Sequence, residues 1–306
     1  MPMNTYAKVR APATIANFGP GFDVFGIALE EPYDIVEMEL TDGPSTVDSV
    51  PYPLPTSVTK NVASYAALAL LGRAGRGDLS FKMTVTKGVR PASGMGSSGA
   101  SCVGGALAAA ALAGITSDAD IVWAAAQGEG LATGNPHPDN VAPSYHGGFV
   151  AVRSLEPYAA LHIMPEDLRV VAVLPDIRVS TKEARAILPA TVPMADAVAN
   201  VANASFVIHA LMTGAYRELG AALEDRLSIP YRKALVTGYD DARAAALDAG
   251  ALAFSLGGSG PTVFAIVEET GPAVADAISG AFAGHGIGST AYCTKIGKGA
   301  EVLALE

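Results

Sequence analysis

Pro91-Ala92-Ser93-Gly94-Met95-Gly96-Ser97-Ser98 is the stretch on which the reading of this 306-residue chain turns. Residues 79–87 lead into it as a strand, with Phe81, Met83 and Val85 alternating against polar partners. Residues 98–113 lead out as a helix of unusually small side chains, closed by Gly114. Gly94 and Gly96 permit positive φ and close backbone approach. A helix that begins at such a loop offers unpaired amides and the positive end of its dipole, the two things a phosphate needs. Ser97 or Ser98 is expected to cap the helix, and one hydroxyl can also serve Mg2+, a hard cation that seeks oxygen. On this loop alone an ordinary glycine-rich turn with serine caps stays open. A Walker loop is excluded, because no Gly-Lys-Ser/Thr follows the glycines.

Outward from the loop, the bulk composition sets limits. Half of the residues are hydrophobic and 16% are charged, with a mean hydropathy of +0.32. That is globular material, enough for about two domains of roughly 100–200 residues each. The net charge of −10 leaves no basic excess to displace counterions from nucleic acid, so anion binding must rest on local groups. Two cysteines, Cys102 and Cys293, cannot build a disulfide framework or a metal cluster, and Cys102 reads as a small buried apolar residue. Residues 1–6 show no charged-then-apolar leader, and the longest apolar stretch, 100–115, is mostly Ala and Gly. The expectation is a cytoplasmic protein with neither membrane nor nucleic-acid partner.

Along the chain, residues 6–10 read as a strand, 12–23 as a loop and 25–40 as strands with one wet face. Residues 41–56 hold four prolines and read as a connection, and 61–71 as a helix. After the central helix come a helix at 119–133, an irregular run at 134–145 and a strand at 147–153. The pattern restarts near Pro165 with a strand at 168–174 and helices at 181–188, 194–213, 215–223 and 240–248. Strands at 251–256 and 262–267, a helix at 272–283 and a strand at 291–294 complete it. Strand and helix alternate in both halves, which makes the chain α/β or α+β in two layers, with a boundary around 153–168.

Two further loops carry chemistry. Glu129 with His137-Pro138-Asp139-Asn140 sets carboxylates, an imidazole and an amide around an irregular segment, where sites are often built. A carboxylate near a triphosphate serves most simply as a Mg2+ ligand; a solvated helix glutamate is the alternative. Ser255-Leu256-Gly257-Gly258-Ser259-Gly260-Pro261 lies between two strands, either as a tight turn or as a second backbone wall facing the first loop.

Together these segments resemble the GHMP kinases (galactokinase, homoserine kinase, mevalonate kinase and phosphomevalonate kinase). The resemblance rests on three motifs in order. These are Ala11-Pro12-Ala13-Thr14-Ile15-Ala16-Asn17-Phe18-Gly19-Pro20-Gly21-Phe22-Asp23, then Gly94-Met95-Gly96-Ser97-Ser98, then Gly257-Gly258-Ser259-Gly260-Pro261. It implies an α+β, two-domain GHMP kinase fold divided into 1–160 and 161–306, with an N-terminal domain like the second domain of ribosomal protein S5 and a ferredoxin-like C-terminal domain. It implies ATP held by Pro91-Ala92-Ser93-Gly94-Met95-Gly96-Ser97-Ser98-Gly99-Ala100-Ser101 and by Gly257, Gly258, Ser259 and Gly260, with Asn61 meeting adenine. It also implies Mg2+ on Ser98 and Glu129.

The first motif and His137-Pro138-Asp139-Asn140-Val141-Ala142-Pro143 look like the homoserine-phosphorylating branch of that family, which serves threonine biosynthesis. That likeness implies L-homoserine as the small-molecule substrate, bound by Asn17, Asp23, His137, Asn140, Thr181, Arg185 and Arg232. Asp23 suits its ammonium, and the arginine forks suit its carboxylate. Asn140, Asp139, Ser98 and Glu129 are the catalytic candidates. Thr14 stands where mevalonate-kinase-like members carry lysine, and Asn140 cannot act as a base. The expected catalysis is therefore by positioning and charge stabilisation. Another alcohol such as mevalonate, or a non-catalytic ATP and ligand sensor, are the competing readings, and homodimerisation is left open.

Overall fold

The N-terminal alternation runs on further than its pattern foretells. The computed structural model describes residues 4–269 and 271–306. Residues 1–3 of the stretch examined for a leader lie outside them. β1 (Tyr6–Ala16) pairs antiparallel with the 17-residue β2 (Phe25–Thr41). Residues 12–16, expected in a loop, thus belong to a strand. The register shifts between Pro12 and Thr14, the kind of irregularity at which a strand tolerates proline.

A second strand, β3 (Thr46–Val50), lies inside the proline-rich stretch expected to be a connection. It pairs parallel with β4 (Ser80–Thr86), reached through α1 (Val62–Arg73). Next come α2 (Ser97–Ala113), α3 (Asp118–Thr133), α4 (Pro138–His146), β5 (Phe149–Leu155) and β6 (Tyr158–Ile163). α4 replaces the irregular run expected at 134–145. Pro138 sits in its first turn, where a missing N–H costs nothing, and Asp139 puts an acid at the positive helix end. β6 has no clear apolar alternation and lies at the sheet's edge, so periodicity could not reveal it.

The second half holds β7 (Arg169–Pro175), α5 (Thr181–Ala186), the long α6 (Met194–Thr213), and the short α7 (Leu219–Ala222) and α8 (Ile229–Arg232). α9 (Tyr239–Asp248), β8 (Ala253–Leu256), β9 (Val263–Val267), α10 (Pro272–Gly284), β10 (Ser289–Lys295) and β11 (Glu301–Leu305) follow. By length and composition alone α6 could cross a membrane. It is instead fastened to the body by Val207, Ala210 and Leu211, and by Asn200 donating to Pro20 O at 2.7 Å.

The first sheet has the order β11-β1-β2-β4-β3, with β5 on β2 and β6 on β5. The second is antiparallel, β10-β7-β9-β8, the ferredoxin-like order expected of the C-terminal half. Alternate side chains on its strands serve two cores. Val171, Val173, Val263 and Ala265 face α9 and α10, whereas Val170, Ala172, Phe264 and Ile266 join the core shared with the first half. Sheet membership also corrects the expected division at 160/161. That point falls within β6, and β11 returns from the chain's end to pair with β1.

α2 lies at the centre, against β1 and β2 on one side and α1 and α3 on the other. Its small side chains are a packing requirement: a Cβ on Gly105 would overlap the carbonyl of Ala63, and one on Gly104 would overlap Val36. We expect Gly105→Ala to lower stability by about 1–3 kcal/mol through overpacking, read from the denaturant midpoint. Gly280→Ala in α10, where a Cβ meets nothing within 4 Å, should instead raise it by roughly 0.4–1 kcal/mol.

Candidate active site

The three glycine-containing segments meet backbone to backbone. Thr14 N–H donates to Met95 O at 3.1 Å, Gly258 N–H to Ala16 O at 2.9 Å, and Thr262 Oγ1 to Ser93 O at 2.7 Å. Gly94 has φ +78, and a Cβ there would lie 2.5 Å from the carbonyl oxygen of Gly260. Gly96, in the left-handed region, is the residue that starts α2, and it gives the helix no side-chain cap. The expected cap by Ser97 or Ser98 is therefore absent. Ser97 donates to Val89 O at 2.8 Å, and the Ser98 hydroxyl bonds the Glu129 carboxylate. Amides in the first turn are left for an anion.

The loop borders a cavity of about 480 Å³. Pro91, Ala92, Ser93, Gly94, Gly96, Ser97, Ser98 and Ser101 line it, facing Gly258, Ser259 and Gly260. Met95, Gly99, Ala100 and Gly257, also expected at the nucleotide, are not on its wall. Met95 and Ala100 are core residues, and Gly99 lets α2 pass close to Asn140. Asn61 lines the cavity beside Leu54, Pro55 and Val62, but its side chain is engaged. Its oxygen caps α1 through the amides of Ala63 and Ser64, and its nitrogen donates to Pro55 O at 3.0 Å. The spacing Gly94-x-Gly96-x-x-Gly99 is also that of a dinucleotide fingerprint. Here α2 leads into α3 and not to a parallel strand, so the βαβ context is missing.

The same cavity takes in all the residues expected at the acceptor: Asn17, Asp23, His137, Asn140, Thr181, Arg185 and Arg232. Asn17 and Asp23 both have positive φ, and Asn17 Oδ1 accepts the Asp23 amide at 2.8 Å, which offsets the strain of that turn. Asp23 pairs in a fork with Arg185 of α5, Nη1 to Oδ2 at 3.0 Å and Nη2 to Oδ1 at 2.9 Å. Arg232 is buried, donating from Nε to Ala184 O and from Nη1 to Gly258 O, each at 3.0 Å. The ring of Phe22 lies under both guanidinium groups, 5.5 Å from that of Arg185 and 4.9 Å from that of Arg232. Asn140 Oδ1 accepts from Thr14 Oγ1 at 3.2 Å, and Thr181 Oγ1 lies 3.5 Å from Ser259 Oγ. Burial, helped by the charge of Arg185, pulls the His137 pKa down, so the imidazole is neutral at neutral pH.

The family model of the GHMP kinase N-terminal domain matches residues 61–148, and that of the C-terminal domain matches 207–284. A homoserine kinase of Thermococcus gammatolerans is 46% identical over 297 residues, covering 96% of this chain and 99% of its own. The chain belongs to the GHMP kinase family. A homoserine kinase of Halorubrum lacusprofundi is 40% identical over 302 residues, covering 96% and 98% of the two chains. The crystal structure of a homoserine kinase from Cytophaga hutchinsonii matches with a TM-score of 0.91 at 36% identity, covering 99% of each chain.

In this family member the carboxylates of the cavity are in electrostatic tension. Asp139 is buried, and its Oδ1 has no hydrogen-bond partner among the described residues. Burial, then the negative charges of Asp23 and Glu129, push its pKa up to about 7. Burial also raises Glu129, against the Ser98 hydrogen bond and the charge of Lys87. Ser98 and Glu129 are hard oxygen donors held together, a set that fits Mg2+. Among the described residues no three His, Cys, Asp or Glu side chains form a metal cage.

Residues at or behind the site that escaped the sequence reading include Phe22, Lys87 and Asp34, and the wall residues Leu54, Lys60, Arg178 and Val179. Phe22 lay within a quoted motif, but a contact with two arginines far along the chain leaves no local signal. Asp34 and Lys87 did leave one, as charges within otherwise alternating strand sequence.

The raised pKa of Asp139 makes a prediction for the ligand-free chain. Between about pH 4 and about 7 the folded state holds a proton that the unfolded state has released, so the group's contribution to stability falls as pH rises through that window. Asp139→Asn should be more stable than the parent at pH 8, by about 2–4 kcal/mol. The gap should close towards pH 4 in thermal unfolding.

Proposed function

We propose that this chain is an ATP:L-homoserine O-phosphotransferase, moving the γ-phosphoryl group of ATP onto the side-chain hydroxyl of L-homoserine. One conjunction carries the reading. A phosphate-type loop and a carboxylate–arginine set line a single cavity, in a chain 46% identical along almost its whole length to a homoserine kinase.

In this reading the first-turn amides of α2 receive the ATP phosphates, and the base lies against Leu54, Pro55 and Val62 near Asn61. Ser98 and Glu129 hold Mg2+, which when bound neutralises charge on the phosphates. Asp23 takes the ammonium of homoserine, and Arg185 and Arg232 take its carboxylate. Asn17, His137 and Thr181 complete the wall around the amino acid. Asn140 has its oxygen turned to Thr14, so its NH2 faces the acceptor hydroxyl as a donor and cannot accept a proton. Positioning and charge stabilisation do the catalytic work, in keeping with a loose phosphoryl-transfer transition state, and the proton leaves late, to the γ-phosphate.

A second mechanism has one observation in its favour. The partnerless oxygen of Asp139 and its pKa near 7 are what a general base would need. Asp139→Asn separates the two. Under positioning, kcat stays within about tenfold of the parent; a base would cost about 10²–10⁴-fold.

The function itself is tested by coupled ADP release with homoserine, mevalonate, shikimate, threonine and galactose at millimolar concentration. Homoserine should be the preferred acceptor, and no release with it would sink the proposal. Asp23→Ala should raise the homoserine KM roughly 10- to 100-fold, as for the loss of a charged hydrogen bond of about 1.5–3 kcal/mol, with little change in the ATP KM. Equal effects on both would remove Asp23 from the ammonium site.

A further inference from the structure

We infer that Lys87 is a positioning residue whose buried charge belongs to the phosphate site, holding the first turn of α2 and strengthening the binding of polyphosphate there. The inference rests on the nucleotide reading given above.

All three N–H bonds of the ammonium are placed. Lys87 donates to the carboxylate of Asp34, to Ser97 O at 2.8 Å and to Ser101 Oγ at 2.9 Å. The other oxygen of Asp34 accepts the amides of Gly88 and Val89, each at 3.0 Å, and Ser101 Oγ donates to Asp34 Oδ2 at 2.8 Å. One ammonium thus ties together β2, the exit from β4 and the first turn of α2. The side chains are 1% and 0% exposed. An ion pair so deeply buried is a weak source of stability, since apolar residues of similar volume often do as well. Its charge calls for another reason.

The arrangement supplies one, because the pair is not placed symmetrically. Lys87 and Ser101 reach the cavity wall; Asp34 does not. The cation is therefore on the cavity side of its counter-ion, and it holds the carbonyl of Ser97, the first residue of the helix whose amides face the cavity. The wall holds four other cations, and none of them is tied to the first turn of α2: Arg185 pairs with Asp23, Arg232 donates to Ala184 O and Gly258 O, and Lys60 and Arg178 are exposed. Thr14, packed against the loop, is neutral. In a chain of net charge −10, a polyphosphate needs positive charge close by. A bound anion would favour the ammonium form of Lys87, and by linkage that form favours the anion.

The test compares ADP with adenosine, measured by calorimetry on purified protein with Mg2+. The neutral double variant Asp34→Asn/Lys87→Met keeps an acceptor for the Gly88 and Val89 amides and leaves no unpaired buried charge. We expect it to unfold cooperatively and to bind ADP roughly 10- to 100-fold more weakly, a loss of the order expected for a nearby unit charge acting through a partly screened medium. Adenosine should stay within about twofold of the parent, since it carries no phosphate for the charge to act on. Parent-like ADP affinity in the folded double variant overturns the inference, and so does an equal loss for ADP and adenosine, which is what a collapsed loop alone would give. Should the double variant not fold, Asp34→Asn alone decides. With Lys87 kept and its counter-ion gone, ADP should bind at least as tightly as in the parent; a tenfold weakening specific to ADP overturns the proposal. A parent protein that binds neither ligand overturns the nucleotide reading instead.

Discussion

The site exists because two backbones are allowed to touch. Gly94, at the turn into α2, and Gly260, between β8 and β9, approach so closely that a single methyl group on Gly94 would fall 2.5 Å from a carbonyl oxygen. Hydrogen bonds hold the approach from both sides, from Thr262 to Ser93 O and from Gly258 to Ala16 O. Each such bond is worth only about 1 kcal/mol net. Their effect is geometric: they fix the phosphate loop against a sheet from the other half of the chain. The cavity wall is thus set by backbone on rigid elements and not by a mobile loop, the condition for holding reacting groups in position.

That rigidity lets an acidic chain build an anion site. With a net charge of −10, the long-range field works against phosphate, so every favourable contribution must be local. In the reading proposed above, helix amides, the buried ammonium of Lys87 and the two arginines would provide it. The same cavity also holds Glu129, Asp139 and Asp23, and their crowding has a measurable consequence. Asp139, buried and with an oxygen left unsatisfied, keeps its proton to about pH 7. A cation arriving at Glu129 or at Asp23 would relieve that crowding, so ligand binding and the charge state of Asp139 are coupled through space.

Much of this was legible in the sequence, for physical reasons that also mark where legibility ended. The phosphate loop could be read because strand alternation, two glycines and a small-residue helix are all local signals. The helices and buried strands of the second half could be read because each is a local apolar pattern, whereas their ferredoxin-like order was implied by the family resemblance alone. Failures came where a local rule had a non-local exception. Pro12 looked like the start of a loop, yet a register shift absorbs it within β1. The Pro, Asn and Asp of 134–145 looked irregular, although Pro138 is at home in a first helical turn. The serines at 97 and 98 looked like caps, but Gly96 opens the helix and their hydroxyls turn to Val89 and Glu129. β11 was not read as a strand at all, and its partner lies at the far end of the chain.

The acceptor residues show how specificity can come from charge pairing more than from shape. Asp23 and Arg185 now satisfy one another, each about two-fifths exposed. Such a pair is worth about 0.2–1 kcal/mol, so it is easily parted. An amino acid brings an ammonium for the one and a carboxylate for the other, and its entry leaves no charge unmatched. A ligand carrying only a carboxylate would pair with Arg185 and strand Asp23 beside Asp139 and Glu129, where a further unpaired negative charge is most costly. A neutral alcohol would gain nothing from either group and would have to part them unaided. In the proposed reading, selection for a zwitterion follows from an ion pair that only a zwitterion can replace without loss.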